Sequence, residues 1–186
     1  MAGLIVPRPI AFVSTLGRDG SRNLAPFSYF MPGGVNPPTL AFCPVLDAGG
    51  TAKDTLRNIR ETGEFVVNLV HRSMAEGMNA TAASFPSGES EWPASGFTPV
   101  ESTRVAPPGV GESRVRFECI LFGTFPTGAE AGAGTVVVGR ILACHAAEDP
   151  GMPIARLGAS GYLDLAAEGG GKVFDLPRPV LPPKSS

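Results

Sequence analysis

The sequence predicts an antiparallel β fold, all-β to α+β, in which five or six short strands form a barrel with small helices over its ends. Three observations support this. Glycine (24) and proline (19) are spread along the 186 residues, so long periodic helical runs are few. Turn signals separate short β-rich segments, and a single segment has clear helical spacing. Periodicity alone does not distinguish such a barrel from a β-sandwich.

A hairpin is predicted close to the N-terminus. Residues 10–15 (IAFVST) form a β-rich run, and the Asp19-Gly20 dipeptide after it is a strong turn signal. Residues 22–30 are predicted as the return strand. Pro26 lies inside this strand and cannot donate a ladder hydrogen bond, so we expect a sheet edge or a bulge there.

The clearest helix follows Lys53. Leu56, Ile59 and Arg60 have helical spacing, Asp54 or Thr55 is a candidate N-cap, and Gly63 stands just past the end. The other segments are predicted as a loop at 32–38, strands at 39–43, 65–70, 115–125 and 135–147, helical turns at 73–80, and a long irregular loop at 81–111.

The composition fits one domain, predicted at residues 1–175, with a proline-rich C-terminal tail at 176–186. The net charge of -2 gives no reason to expect nucleic acid or an anionic membrane as a partner. The apolar N-terminal run is too short for a signal peptide, and no stretch approaches the roughly 18 apolar residues of a membrane span.

Cysteine usage predicts a cytoplasmic protein. Cys43, Cys119 and Cys144 are odd in number and far apart, so neither a disulfide framework nor a zinc site is expected. Reduced thiols fit the cytoplasm.

Two groups of polar residues are candidates for ligand binding. The first joins Ser14 and Thr15 to the segment 23–28, where a strand edge disrupted by proline leaves backbone groups free for a flat heterocycle. The second is Lys53 with Thr55 at a helix start, where a cation, a hydroxyl and unpaired N–H groups suit a phosphate monoester. Two ordinary strands with surface hydroxyls and a plain capped helix remain the alternatives.

A hydrolase is not favoured. His71 or His145 could form a triad with Ser14, Ser28 or Asp149, but the sequence has no Gly-x-Ser-x-Gly elbow.

Motifs along nearly the whole chain resemble the flavin reductase-like family with its FMN-binding split barrel. They occur in the order of that family: PRPIAFVST at 7–15, NLAPFSYF at 23–30, NPP at 36–38, KDTLRNIRETGEFVVNL at 53–69, MNAT at 78–81, GFTP at 96–99 and RLGASGY at 156–162.

The resemblance implies a six-stranded antiparallel Greek-key split barrel with short helices, paired as a homodimer that holds FMN near the subunit boundary. Ser14 and Thr15 would then neighbour the phosphate or ribityl chain, and Lys53 and Thr55 would hold the phosphate. The isoalloxazine would be lined by the segment that contains Asn23, Ala25, Pro26, Phe27 and Ser28, and Arg8 and Tyr162 complete the candidate set.

The function implied is reduction of flavin by NADH or NADPH, with a hydride passing from nicotinamide C4 to flavin N5. This chemistry needs no general base, so no catalytic side chain is expected. Reduced flavin could pass to a flavin-dependent monooxygenase. The alternative is an FMN-binding electron carrier without significant NAD(P)H activity, because one fold supports both roles.

Overall fold

The computed structural model describes residues 3–181, and their regular backbone is mostly β-structure with a few short helices. The strands are β1 (Arg8–Pro9), β2 (Ala11–Leu16), β3 (Arg22–Phe27), β4 (Phe30–Val35), β5 (Pro38–Phe42), β6 (Glu64–Asn68), β7 (Pro99–Val100), β8 (Gly109–Val110), β9 (Val115–Pro126), β10 (Thr135–Ala146), β11 (Ile154–Gly158), β12 (Gly161–Asp164) and β13 (Lys172–Asp175). The helices are α1 (Asp54–Thr62), α2 (Ala75–Ala80), which a 3₁₀ turn at Arg72–Met74 precedes, and α3 (Trp92–Ser95).

These strands form three antiparallel sheets. The largest has seven strands in the order β3-β2-β6-β9-β10-β5-β4. A second sheet has the order β1-β11-β12-β13, and β7 pairs with β8. The structure confirms five predicted strands, with both ends of each within two residues of the prediction: 10–15, 39–43, 65–70, 115–125 and 135–147.

The main sheet of the described chain has seven strands where six were expected, because the predicted loop at 32–38 was wrong. Residues 30–35 form β4, which pairs with β5 across a bulge between Pro32 and Gly34. Proline and glycine are tolerated there because β4 is the outermost strand, and its outer side makes no ladder hydrogen bonds. The sequence interpretation also missed the short strands of the second sheet.

Hydrophobic residues form two core clusters because several strands are buried on both faces. In β2, Phe12 belongs to the first core cluster, whereas Ala11 and Val13 belong to the second. Alternate residues of a strand point to opposite faces, so both faces of β2 are covered. The second cluster also receives Leu56 and Ile59, which anchor α1 against the strands.

The predicted turn and the principal helix are confirmed except at the helix N-cap, whereas the predicted loop at 81–111 also contains α3, β7 and β8. The β2–β3 hairpin turns at Gly20 (φ 83°), and β3 is an edge strand, as Pro26 predicted. Gly63 ends α1 in the left-handed conformation. Lys53, not Asp54 or Thr55, is the N-cap, and its side chain makes no capping bond. The structure contains no helix within residues 3–181 that is long and apolar enough to span a membrane.

Candidate functional site

The free edge of β3 is the first component of the candidate site. The Leu24 N–H donates to Glu91 Oε2 at 2.8 Å, so Leu24 directs its backbone groups away from β2. The hydrogen-bonding direction of the backbone alternates from one residue to the next along an antiparallel strand. Pro26 lies two residues after Leu24, so its carbonyl also points away from β2. Its missing N–H therefore falls on the open side and removes nothing from the β2–β3 ladder.

Two adjoining cavities lie along this edge. The larger has a volume of about 670 Å³ and the smaller about 230 Å³, and Pro26, Ser28 and Tyr29 line both. Among the described residues, the larger cavity is lined by Arg8, Arg156 and Arg178 and the smaller by Lys53. No aspartate or glutamate lines either one. The combined site is therefore cationic and suits an anionic ligand.

Arg8 and Arg156 are direct neighbours across the β1–β11 ladder. Arg8 is buried, and its Nε donates to Ser28 Oγ at 3.4 Å. The Arg156 guanidinium lies 4.3 Å from the centre of the Tyr162 ring and donates to the Ala159 carbonyl. The ladder therefore places two cationic side chains side by side at the larger cavity.

Tyr162 supports Arg156. Its ring stacks on Phe174 with centroids 5.5 Å apart, and burial raises the pKa of its hydroxyl. Tyr162 therefore stays neutral and orients Arg156 as an aromatic platform.

The start of α1 is the second component of the site. Lys53 is exposed and lines the smaller cavity. The N–H groups of Asp54 and Thr55 lie in the first turn, where no intrahelical acceptor exists. The Asp54 carboxylate turns away and accepts hydrogen bonds from the Gly88 N–H at 2.6 Å and the Ser87 hydroxyl at 2.9 Å. Burial opposes the charge, but hydrogen bonds from Gly88, Arg57 and Ser87 hold the pKa of Asp54 below its usual value.

Several predicted site residues lie in the interior instead. Ser14 and Thr15 are fully buried. The Ser14 hydroxyl donates to the Pro108 carbonyl at 2.5 Å, and Thr15 Oγ1 accepts from Asn58 Nδ2 at 3.0 Å. None of these side chains lines either cavity.

Asn23 and Thr55 join the strand edge to the helix start. Their side chains lie 2.8 Å apart and are buried, so they fix α1 against β3 without facing the cavities. Ala25 and Phe27 direct their side chains into the second core cluster, although Phe27 also contributes to the wall of the smaller cavity. Ala25 itself lines neither cavity, because its side chain is buried in that cluster.

The structure adds cavity residues that the sequence interpretation did not select. Three of them, Tyr29, Asn79 and Arg156, lie inside motifs that resemble the family, so the sequence did contain a signal for them. Arg178 lies in the C-terminal tail outside every motif, and no sequence signal indicates it.

The two histidines have structural partners. His71 Nε2 lies 2.8 Å from the Pro150 carbonyl, and His145 Nε2 lies 2.6 Å from the buried Glu118 carboxylate. Within the described part of the chain, no group of three or more His, Cys, Asp or Glu side chains is placed to hold a metal ion.

Comparison with known proteins shows that the chain belongs to the flavin reductase-like family. The model of the flavin reductase like domain matches residues 1–161. The uncharacterized protein YwrF of Bacillus subtilis strain 168 is 38% identical over 193 residues, covering 96% of this chain and 91% of YwrF.

Two solved structures are similar over almost the whole chain. Nitrilotriacetate monooxygenase component B from Bacillus cereus has a TM-score of 0.83 at 36% identity, covering 94% of this chain and 90% of that one. The 2-nitrobenzoate 2-nitroreductase NbaA from Pseudomonas fluorescens has a TM-score of 0.79 at 29% identity, covering 100% and 91%. The mostly-β architecture is consistent with the split barrel of flavin reductases.

The residues present fit a flavin. The larger cavity falls within the usual size of cofactor sites. The outward Pro26 carbonyl suits a heterocycle with hydrogen-bonding groups on its rim. Lys53 at a helix start suits a phosphate. The chain is thus a member of a flavoprotein oxidoreductase family with a cavity suited to that cofactor.

Proposed function

We propose that this protein is an FMN-binding, NAD(P)H-dependent flavin reductase. One observation carries the proposal: two adjoining cavities along the open edge of β3 carry four cationic side chains and no carboxylate in the described chain. Lys53 lines the smaller cavity beside the start of α1, and the three arginines line the larger cavity.

FMN would be held by the β3 edge and the start of α1. Lys53 and the first-turn N–H groups of α1 bind the phosphate. The Pro26 carbonyl and Ser28, which Arg8 contacts, line the isoalloxazine. The chemistry that bound FMN would supply here is hydride transfer from NADH or NADPH.

The buried polar pairs orient these binding groups. Asn23 with Thr55 and Asn58 with Thr15 join α1 to β3 and β2, so Lys53 is positioned relative to Pro26. These four side chains therefore act as positioning residues in the proposed site.

A homodimer is supported by the apolar outer face of the main sheet. Register places Ala41 between Val138 and Met31, and Val136 beside Phe125, all facing away from the second core cluster. Met31 is 58% exposed and Phe125 is 70% exposed, so this face presents large apolar side chains to solvent on both β4 and β9. We propose that a second copy covers this outer face.

The outer face continues into the smaller cavity. Tyr29 and Cys43 line that cavity, and the Cys43 N–H donates to the Tyr29 carbonyl at 2.9 Å, next to the row that contains Met31. A partner on the outer face would therefore also wall the proposed FMN site.

The cellular role is proposed to be supply of reduced flavin to a monooxygenase. A 36% identical relative is named as component B of a monooxygenase, which supports this assignment. The described cysteines are all free thiols, which supports the cytoplasm as the setting.

The test is an absorption spectrum of the purified protein with and without added FMN, followed by anaerobic mixing with NADH or NADPH. We expect saturable FMN binding and rapid bleaching by at least one nicotinamide. Bleaching by dithionite alone would favour the electron carrier instead. A protein that binds no FMN would refute both functions.

A further inference from the structure

The C-terminal tail forms one wall of the larger cavity. The Leu176 side chain is buried in the first core cluster, and its N–H donates to the Ser160 carbonyl at 3.1 Å. Asn79 Nδ2 then donates to the Pro177 carbonyl at 2.8 Å. These contacts fix the chain immediately before Arg178, which lines the cavity.

Arg178 differs from the other cavity arginines in its contacts. Arg8 bonds to Ser28 and to the Ile5 carbonyl, and Arg156 is held by Tyr162 and Ala159. Within residues 3–181, Arg178 has no hydrogen-bond or ion-pair partner and is exposed. Its guanidinium is therefore available to a ligand.

Cations stand at both ends of the combined site. Lys53 lines the smaller cavity, Arg156 and Arg178 line the larger one, and the shared residues Pro26, Ser28 and Tyr29 lie between them. FMN has one phosphate, which the proposed function assigns to Lys53. The cations at the other end therefore remain for the anionic group of a second ligand.

We propose that Arg178 and Arg156 form a subsite for a phosphate or carboxylate group of the second substrate, the molecule that exchanges electrons with the bound flavin. This inference rests on the proposed function. Arg156 supplies an oriented cation, and Arg178 supplies an adjustable one from the tail. Ile10, Met78 and Leu176 provide an apolar wall for the rest of that molecule.

The test compares anionic and neutral hydride donors with the FMN-loaded protein. The donors are NADH, NADPH and the uncharged 1-benzyl-1,4-dihydronicotinamide, in stopped-flow measurements of flavin reduction. In Arg178→Gln, the apparent Kd for an anionic donor should rise about two- to fivefold, the range of an exposed charge pair. The neutral donor should react unchanged. Arg60→Gln, an exposed position that lines neither cavity, is the matched control.

Salt and direct binding provide independent measurements. Added salt should weaken anionic donors in the wild type and have less effect in Arg178→Gln, because exposed charges are screened. Calorimetric titration with NADP⁺, inorganic phosphate and benzoate measures binding without turnover and shows which anion the subsite accepts. If Arg178→Gln weakens the binding of NADP⁺ and phosphate but not of benzoate, the second substrate is a nucleotide. If it weakens the binding of benzoate alone, the second substrate is an organic acid.

The two levels of the proposal fail in different ways. Equal affinity of wild type and Arg178→Gln for all three titrated anions would overturn the subsite, even if the flavin is reduced. A protein that binds no FMN but loses anion affinity on Arg178→Gln would refute the proposed function and retain the anion subsite.

Discussion

The carboxyl group of Glu91 should make the stability of this protein depend on pH near neutrality. Glu91 is buried, and its Oε2 accepts a hydrogen bond from the Leu24 N–H at the edge of β3. Burial raises the pKa of this carboxyl from 4.5 to about 7, and hydrogen bonds from Leu24 and from its own backbone only partly oppose the effect.

The sign and size of the effect follow from proton linkage. The folded state binds this proton more tightly than the unfolded chain, so the Glu91 contribution to stability is full below pH 4.5. It falls as the pH rises from 4.5 to about 7 and is constant at higher pH. At about 1.36 kcal/mol per pKa unit, the total loss is about 3 kcal/mol.

Glu91→Gln isolates this contribution. Glutamine keeps an oxygen that accepts from Leu24 and has no titrating proton, so the variant should resemble the protonated wild type. Urea unfolding from about pH 4 to about pH 8.5 gives the free energy of unfolding of each protein. The two should agree at the acidic end, and the variant should be more stable by about 3 kcal/mol at the basic end.

The control for this experiment is Glu101→Gln, at an exposed position without a hydrogen-bonded carboxylate in the described chain. This variant measures what a carboxyl-to-amide change at the surface does to stability over the same pH range. A difference between Glu91→Gln and wild type that does not change with pH would show that the folded protein does not hold the Glu91 carboxyl with a raised pKa.

Three further perturbations test the site and the outer face. Lys53→Ala should raise the Kd for FMN about tenfold, the effect of one charged hydrogen bond, with riboflavin binding unchanged in the same fluorescence titration. Equal losses for both ligands would remove Lys53 from the phosphate site. Phe125→Asp should yield monomers in sedimentation experiments and weaken FMN binding. A dimer of unchanged affinity would contradict the proposed interface. Ala25→Leu should lower the free energy of unfolding by about 1–3 kcal/mol, because the added atoms enter a packed core. A folded variant of normal stability that has lost FMN would instead place Ala25 against the ligand.

Local patterns predicted much of the fold. The Asp19-Gly20 turn, the edge position of β3 and the end of α1 at Gly63 each depend on the conformational limits of one or two residues. The prediction of a loop at 32–38 was wrong because it depended on the proline and glycine residues of that segment. Proline and glycine usually mark loops, but a sheet edge tolerates them, and sequence does not show which strand lies outermost.

The candidate site was predicted less completely than the fold. Lys53, Pro26, Ser28, Arg8 and Tyr162 all line the cavities. Ser14, Thr15, Asn23 and Thr55 were selected for their polar side chains, yet these side chains bond within the protein. Thr15 and Asn23 bond to α1, and Ser14 bonds to the Pro108 carbonyl. A buried hydroxyl that bonds the protein and one that faces a ligand have the same sequence signature.

The sequence by itself determined the family, the short strands, the principal helix and the cation at that helix's start, because these depend on motifs and on contacts between near neighbours. Only the tertiary structure decided which polar side chains face the cavities. Both faces of β2 are buried, so alternation along the strand does not say which face meets a ligand. Strand pairing places Arg8 opposite Arg156, and burial of Leu176 brings the tail residue Arg178 to the same cavity. Both are long-range contacts that no local pattern encodes.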